Sequence, residues 1–306
     1  MIDKLSLVHW QEFAPWPNDA YVEQDLIISR ALVELYSHPL LKSELAFRGG
    51  TALQKCFFAF PIRYSEDLDF VQVNQVPIGP VLDAIREKLD PWLGKPRVKL
   101  GHGRATLFYR FEGSDDNKSA MRLKIEINTR EHYAFLRHIN KQFTVNSPWY
   151  SGNCEILTFE LDELLGTKLR ALFQRKKGRD LFDLARAIEL LPINLDQILG
   201  CFYKYLEPMG LSISRAEFEA NLLGKRDMYE FREDMQALLP LKTTFNFDQD
   251  FVLVMEKLIA KLPGDPWRGT ADVSTNTKSK AQLIDAFQTY HHPIWTTHFM
   301  QNSPCV

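Results

Sequence analysis

The periodicity of the apolar residues changes along this chain, and that change constrains the fold more than any other feature. Between residues 45 and 159, short segments alternate polar and apolar side chains, as in DLDFVQV (67–73), TLFYRF (106–111), LKIEIN (123–128) and EILTF (155–159). A two-residue period predicts half-buried strands. From residue 161 onward the period is helical, over 161–174, 180–191, 195–206, 214–223, 227–239 and 248–262.

Helical patterns also accompany the strands of the first half, over 19–35 and 81–93, and Pro39 is expected to end the first of them. The sequence therefore predicts an α+β domain over residues 1–158, followed by an all-helical domain over 159–306. A linker at 264–280 and a final helix beginning near Ala281 are expected at the end of the chain.

Composition and charge exclude several classes of protein. The formal net charge is -2 and the pI about 6.5, so nucleic-acid binding would need a local basic patch. No stretch approaches the ~18 apolar residues of a membrane span, and the N-terminus lacks the apolar run of a signal peptide. The four cysteines lie far apart, without zinc-site spacing. We expect a cytoplasmic protein with no membrane partner.

Asp67 and Asp69 are the strongest candidates for chemistry. They lie two residues apart on a predicted strand, so their side chains share one face. Adjacent carboxylates repel unless a cation lies between them, and such hard ligands suit Mg²⁺ held jointly with substrate phosphates. Glu126, on the polar face of LKIEIN, adds a third carboxylate, and such a set can align a 3′-hydroxyl with an α-phosphate. The alternative for Glu126 is a solvent-facing residue paired with a neighbouring lysine.

The Gly49-Gly50 pair precedes a predicted helix. Paired glycines let backbone amides approach a phosphate, and a helix N-terminus favours negative charge. Thr51 is a candidate N-cap of that helix. The alternative is an ordinary strand–turn–helix junction. Because the aspartates follow one short helix later, we expect Gly49, Gly50 and Thr51 to contact the phosphates of a nucleotide.

A basic run begins at Lys168 and reaches Arg179 with no acidic residue before Asp180. On a helix, Lys168 and Arg175 share a face, so the lysine is placed to neutralise the charge of a triphosphate. Asp183 is expected to orient Arg179, Lys168 or an incoming nucleophile. The alternative is a solvated charged helix.

Two motifs of the chain resemble those of a known family. The run FRGGTALQKCFFAFPIRYSEDLDF is similar to the leading signature of the AbiEii/AbiGii-type toxin nucleotidyltransferases, which belong to the polymerase-β-like nucleotidyltransferase superfamily. The matching residues are Gly49, Gly50, Thr51, Leu53, Arg63, Ser65, Asp67, Leu68, Asp69 and Phe70. A second signature, KLxALxxR followed by RDxxDL, is matched by Lys168, Leu169, Ala171, Leu172, Arg175, Arg179, Asp180, Asp183 and Leu184.

The resemblance implies a polymerase-β-like domain with a mixed sheet, and a Mg²⁺-dependent nucleotidyltransferase that uses an NTP. It implies the toxin of a type IV toxin–antitoxin system, acting on RNA with tRNA 3′ ends as the leading acceptor. Its partner would be a cognate transcriptional-regulator antitoxin. The implied catalytic residues are Asp67, Asp69, Lys168 and Asp183, the metal ligands are Asp67, Asp69 and Glu126, and the nucleotide contacts are Gly49, Gly50, Thr51, Arg63, Ser65 and Lys168.

Two other functions stay open at the level of sequence. The same chemistry could act on a small molecule, such as an aminoglycoside-type antibiotic. A nucleotide-binding interaction protein without turnover is the other alternative, although the full set of carboxylates argues against it.

Overall fold

The described strands form one seven-stranded mixed sheet, in the order β3-β4-β5-β2-β1-β7-β6. The computed structural model describes residues 2–115, 118–241, 243 and 245–269. The strands are β1 (Leu45–Arg48), β2 (Asp67–Gln72), β3 (Arg97–Gly101), β4 (Arg104–Glu112), β5 (Ala120–Asn128), β6 (His138–Asn146) and β7 (Ser151–Phe159). The β2–β5 and β1–β7 pairs are parallel and the other pairs are antiparallel. The expected mixed sheet with helices is confirmed.

Helices precede, interrupt and follow the sheet. They are α1 (Lys4–Gln11), α2 (Asp19–Tyr36), α3 (Pro39–Glu44), α4 (Gly49–Phe57), α5 (Gly79–Leu93), α6 (Leu161–Gln174), α7 (Gly178–Leu190), α8 (Leu195–Leu206), α9 (Arg215–Arg226), α10 (Tyr229–Arg232) and α11 (Phe247–Lys257). Every described segment after β7 is helical or irregular, as the change of periodicity predicts. The expected final helix near Ala281 lies outside the described residues.

Two edge strands and one short helix depart from the sequence prediction. All residues of β3 are exposed, and β6 has only one buried residue, Val145, so neither strand has the regular alternation of buried and exposed residues that predicts a strand. Pro39 does follow the end of α2, but it also begins α3 as its first residue, where the missing N–H removes no helical hydrogen bond. Residues up to Pro266 form one compact unit, and the division at 158/159 stays a prediction.

Alternation along β2 and β5 sets the two faces of the sheet. Leu68, Phe70, Ile125 and Ile127 are fully buried in the core, together with apolar side chains of α2 and α5. The odd-numbered residues of β2 point to the opposite face, which is where the candidate site lies. The described cysteines, Cys56, Cys154 and Cys201, are free thiols. Within the described ranges, the helices are all too short or too polar to span a membrane.

Candidate active site

The three predicted carboxylates meet on one face of the sheet. In the parallel register of β2 and β5, Asp67 lies opposite Lys124 and Asp69 lies opposite Glu126. Lys124 Nζ is 3.2 Å from both Asp67 Oδ2 and Glu126 Oε2. Glu126 is thus paired with a neighbouring lysine, which was the alternative prediction for this residue. It also lies on the same face as the two aspartates.

The cluster carries more negative charge than its surroundings neutralise. Burial and the carboxylates of Asp67 and Glu126 raise the pKa of Asp69 to about 6. Burial also acts to raise the pKa of Glu126, but Lys124 and Arg104 outweigh it and hold that pKa below its usual value. Asp69 is therefore the carboxylate whose charge is least well balanced.

The donor chemistry of this cluster fits a hard divalent cation. Within the described ranges, no group of three or more histidine, cysteine, aspartate or glutamate side chains is arranged to hold a metal ion. The Lys124 ammonium lies between two of the carboxylates and acts as the cation of the cluster. Carboxylate oxygens are the ligands that Mg²⁺ prefers, so these residues fit the metal once Lys124 moves aside.

The two glycines that begin α4 are required by close contacts. Gly49 has a φ of +81°, and a Cβ there would lie 2.7 Å from Asp69 Oδ2. A Cβ on Gly50 would lie 2.2 Å from Arg63 Nη2. The Gly-Gly turn therefore lets the Asp69 carboxylate and the Arg63 guanidinium pack directly against the backbone.

Thr51 does not cap α4, so that expectation is wrong. The N-cap residue is Arg48, which makes no side-chain capping bond. Thr51 Oγ1 instead donates to the Asp67 carbonyl oxygen at 2.5 Å and lies 2.7 Å from Ser65 Oγ. These two contacts of the Thr51 hydroxyl connect the first turn of α4 to the start of β2.

A chain of ion pairs joins the segment before β2 to α6 and α7. Arg63 Nε and Nη2 donate to Asp183 Oδ1 and Oδ2 at 2.6 and 2.7 Å. Lys168 Nζ lies 3.0 Å from Asp183 Oδ2 and 3.1 Å from Asp180 Oδ1. Arg175 completes the chain with two contacts to Asp180, at 2.5 and 2.8 Å. Lys168 is thus held between two aspartates that are both fully buried.

This network decides between the partners considered for Asp183. Asp183 contacts Lys168 and Arg63, whereas Arg179 contacts Asp234 through its backbone N–H and its Nε. Burial acts to raise the pKa of Asp183, but Arg63 and Lys168 outweigh it and keep the pKa below its usual value. Asp183 therefore stays ionised and positions the lysine.

A cleft of about 150 Å³ brings most of the candidate residues together. It is lined by Gly50, Arg63, Ser65, Glu66, Asp67, Asp69, Lys124, Glu126, Lys168, Arg175 and Arg179. Gly49, Thr51 and Asp183 do not line it and instead lie behind its wall. The presence of carboxylates and basic side chains in one cleft suits a triphosphate bound together with a cation.

A second ion-pair cluster beside the cleft is not evident from the sequence. Glu131 accepts from Arg48 Nη1 at 2.7 Å and from Arg170 Nη1 at 2.8 Å. Arg48 lies opposite Asp69 in the β1–β2 register, so Glu131 links α6 to the strand that borders the carboxylates. The only feature of the sequence that points to Glu131 as part of this cluster is its position shortly after the strand that carries Glu126.

Comparison with known proteins identifies a family and similar structures for this chain. The family described as "Nucleotidyl transferase AbiEii toxin, Type IV TA system" matches residues 30–257. MenT4, a nucleotidyltransferase toxin from Mycobacterium tuberculosis H37Rv, has a similar structure, with a TM-score of 0.61 and 18% identity over 95% of this chain and 100% of that chain. JHP933 from Helicobacter pylori is also similar, with a TM-score of 0.50 and 19% identity over 89% of this chain and 99% of that chain.

At these identities, the two solved structures support a shared fold and no more. No curated protein matches the chain significantly. The family match is broader evidence, because it spans well over half of the chain and includes β1–β7, the three carboxylates and the α6–α7 pair. The chain therefore belongs to the family of nucleotidyl transferase AbiEii toxins of type IV toxin–antitoxin systems, and it is a nucleotidyltransferase.

Proposed function

We propose that this enzyme transfers a nucleoside monophosphate from an NTP to the 3′ end of an RNA, with tRNA as the acceptor, in a Mg²⁺-dependent reaction. One observation carries the proposal: the Asp67–Asp69–Glu126 cluster and Lys168 line the same cleft. A phosphoryl transfer needs both features, since it requires a cation site and a positive group for the charge of the triphosphate.

Asp67, Asp69 and Glu126 would hold the metal. When bound there, Mg²⁺ supplies charge neutralisation for the triphosphate and orients the reacting oxygens. The protein contributes a rigid set of carboxylates, because Thr51 anchors β2 and the Gly49 backbone packs against Asp69. Lys124 lies between Asp67 and Glu126 and holds these two carboxylates together.

The other residues act on the nucleotide. The acceptor hydroxyl oxygen forms a bond to the α-phosphorus, the bond from that phosphorus to the bridging oxygen of the β-phosphate breaks, and pyrophosphate leaves. The hydroxyl proton passes to a carboxylate oxygen of Asp69. Lys168 stabilises the charge that builds on the leaving phosphates, while Asp183 fixes its position. Gly50 and Ser65 contact the phosphates, and Gly49, Thr51 and Arg63 shape the wall behind them.

As a member of a toxin family, the enzyme would act in the cytoplasm beside an antitoxin. We propose that this antitoxin is a transcriptional regulator encoded with it. The match to a family of nucleotidyl transferase toxins of type IV toxin–antitoxin systems supports the toxin role. Expression of the enzyme alone should inhibit bacterial growth, and co-expression of the neighbouring gene should restore it. Growth inhibition that persists on co-expression would contradict the proposed antitoxin.

The acceptor is tested by labelling. The enzyme is incubated with Mg²⁺, each α-³²P-labelled NTP in turn, and total tRNA that is intact, periodate-oxidised at its 3′ end, or digested with RNase. Transfer to intact tRNA alone supports the proposal. Label that persists in a product after RNase digestion points to a small-molecule acceptor instead.

A further inference from the structure

The sheet face that carries the aspartates continues beyond them across three more strands. Asp69 lies opposite Glu126 on β5, which lies opposite Thr106 on β4, which lies opposite Lys99 on β3. Residues directly opposite each other in a sheet share a face. The carboxylate cluster is therefore one end of a continuous surface formed by β5, β4 and β3.

The charged side chains of this extension are mostly basic and exposed, whereas Thr106 between them is buried. We call the basic sheet face the set of exposed arginines and lysine that these strands present on the side of the aspartates: Arg97, Lys99, Arg104, Arg110 and Arg122. On the opposite side of the same strands, Leu107, Tyr109, Leu123 and Ile125 are fully buried. The alternation thus places apolar side chains in the core and cations in solvent.

Three of these five cations lack a carboxylate partner in the part of the chain that the structure describes. Arg104 lies 3.5 Å from Glu126, and at the far end of β4 Glu112 is paired with Lys118. Within the described ranges, Arg97, Arg110 and Arg122 form no ion pair with a carboxylate. The whole chain has a net charge of -2, so this concentration of positive charge is local and is not a property of the surface in general.

The dimensions suit a strand of nucleic acid. Three strand spacings of ~4.8 Å separate β2 from β3, which makes the face about 14 Å wide, and Arg104 to Arg110 span about 20 Å along β4. Phe108 lies half-buried near its centre, with the guanidinium of Arg122 5.8 Å from its ring centroid. Basic side chains around an aromatic ring are the features that bind a sugar–phosphate backbone and stack a base.

We propose that the basic sheet face binds the backbone of the acceptor RNA and leads its 3′ end to the carboxylate cluster. The inference rests on the proposed function, since it assumes an RNA acceptor. It assigns RNA contacts to β3, β4 and β5. An acidic protein segment is the competing occupant, and it would show no dependence on RNA.

The test uses the full-length enzyme and fluorescein-labelled tRNA, with binding followed by anisotropy at several salt concentrations and without NTP. The variant combines Arg97→Gln, Arg110→Gln and Arg122→Gln, none of which contacts the carboxylate cluster. A matched control combines Lys4→Gln, Lys257→Gln and Lys261→Gln, three exposed lysines elsewhere on the chain. Both variants lose three positive charges, so they differ in the location of the lost charges and not in their number.

The triple arginine variant is expected to bind tRNA at least about tenfold more weakly, with a salt slope shallower by about 2, since each lost phosphate contact removes ~0.7 from the slope for a single strand. Its KM for tRNA should rise, while its KM for NTP stays unchanged. The lysine control should match the wild-type enzyme in every measurement. An Arg→Lys version of the triple variant should keep the wild-type salt slope, because the charge is retained.

Two results would overturn the inference alone: wild-type binding by the arginine variant, or an equal loss in the lysine control, while the wild-type enzyme labels tRNA. If the wild-type enzyme neither binds nor labels any RNA, the proposed function fails and this inference fails with it. Thermal unfolding of each variant shows whether a loss of binding reflects a loss of fold.

Discussion

The Arg63 guanidinium and the Asp183 carboxylate form a two-pronged ion pair that is shielded from solvent, with 1% and 0% of the two side chains exposed. The pair joins the segment before β2 to α7, across 120 residues of sequence. Asp183 also contacts Lys168, so the same carboxylate holds the sheet, the helices and the cleft lysine in one arrangement. Asp183 therefore supports the packing of the fold and, through Lys168, the proposed catalytic site.

Asp183→Asn should be strongly destabilising. The substitution leaves the buried Arg63 guanidinium and the Lys168 ammonium without a full counter-charge, and breaking a buried pair in this way costs about 3–5 kcal/mol. Urea unfolding measures the change directly. Glu160→Gln is the matched control, because it breaks the exposed Arg137–Glu160 pair and should cost under about 1 kcal/mol. Equal losses of unfolding free energy in the two variants would contradict the stabilising role of the buried ion pairs.

Gly50→Ala tests the close approach of Arg63 to the backbone. Its new Cβ would lie 2.2 Å from Arg63 Nη2, and Arg63 is held by Asp183 and cannot move away without breaking that pair. We expect a loss of about 1–3 kcal/mol in the free energy of unfolding, as for other overpacked sites. Gly200→Ala, in α8, meets nothing within 4 Å and should be neutral or stabilising by up to ~1 kcal/mol. If Gly50→Ala behaved like Gly200→Ala, the contact would be of no consequence.

Glu131 should make the protein less stable in acid. Burial acts to raise its pKa, but Arg48 and Arg170 outweigh it and lower that pKa from 4.5 to about 2. The unfolded chain then binds the proton more readily, so the contribution of Glu131 is complete above pH 4.5 and is lost as the pH falls towards 2. The stability difference between wild type and Glu131→Gln should shrink by up to about 3 kcal/mol over this range. A difference that does not vary with pH would contradict the ion pairs.

Lys124→Met should strengthen the binding of Mg²⁺. The ammonium lies 3.2 Å from two of the carboxylates and competes with a divalent cation for them. Removing one positive charge at this distance should lower the Kd for Mg²⁺ by about tenfold, or ~1.4 kcal/mol. Calorimetric titration with MgCl₂ measures the change, with Arg110→Met as a charge-matched control of unchanged affinity. Weaker binding by Lys124→Met would mean that the lysine supports the metal site.

The fold class and the position of the carboxylates could be predicted from sequence because they depend on the local spacing of polar and apolar residues. A spacing of two places Asp67 and Asp69 on one face of any strand, and the same rule places Glu126 opposite the buried Ile125 and Ile127. The pairing of β2 with β5, which brings Glu126 opposite Asp69, depends on contacts between distant segments. No local pattern encodes that register.

The ion-pair network could be predicted only in part, for a related reason. The sequence offers Arg179 and Lys168 as partners for Asp183, and the contact with Lys168 is present. The contact with Arg63 joins segments 120 residues apart, so no local spacing indicates it. The basic sheet face is equally hidden, because its cations alternate with apolar residues on three separate strands and never form a run. Charge on a sheet becomes visible only when the strand order is known.

The most direct test of the central claim compares two labels of one NTP in the intact enzyme and in Asp69→Asn. Transfer of a nucleoside monophosphate requires that an α-³²P label enter tRNA and that a γ-³²P label leave with pyrophosphate. We expect α-label incorporation by the intact enzyme, no γ-label incorporation, and a rate at least about 100-fold lower in folded Asp69→Asn. Labelling from the γ position, or full activity without the Asp69 carboxylate, would contradict nucleotidyl transfer at this cleft.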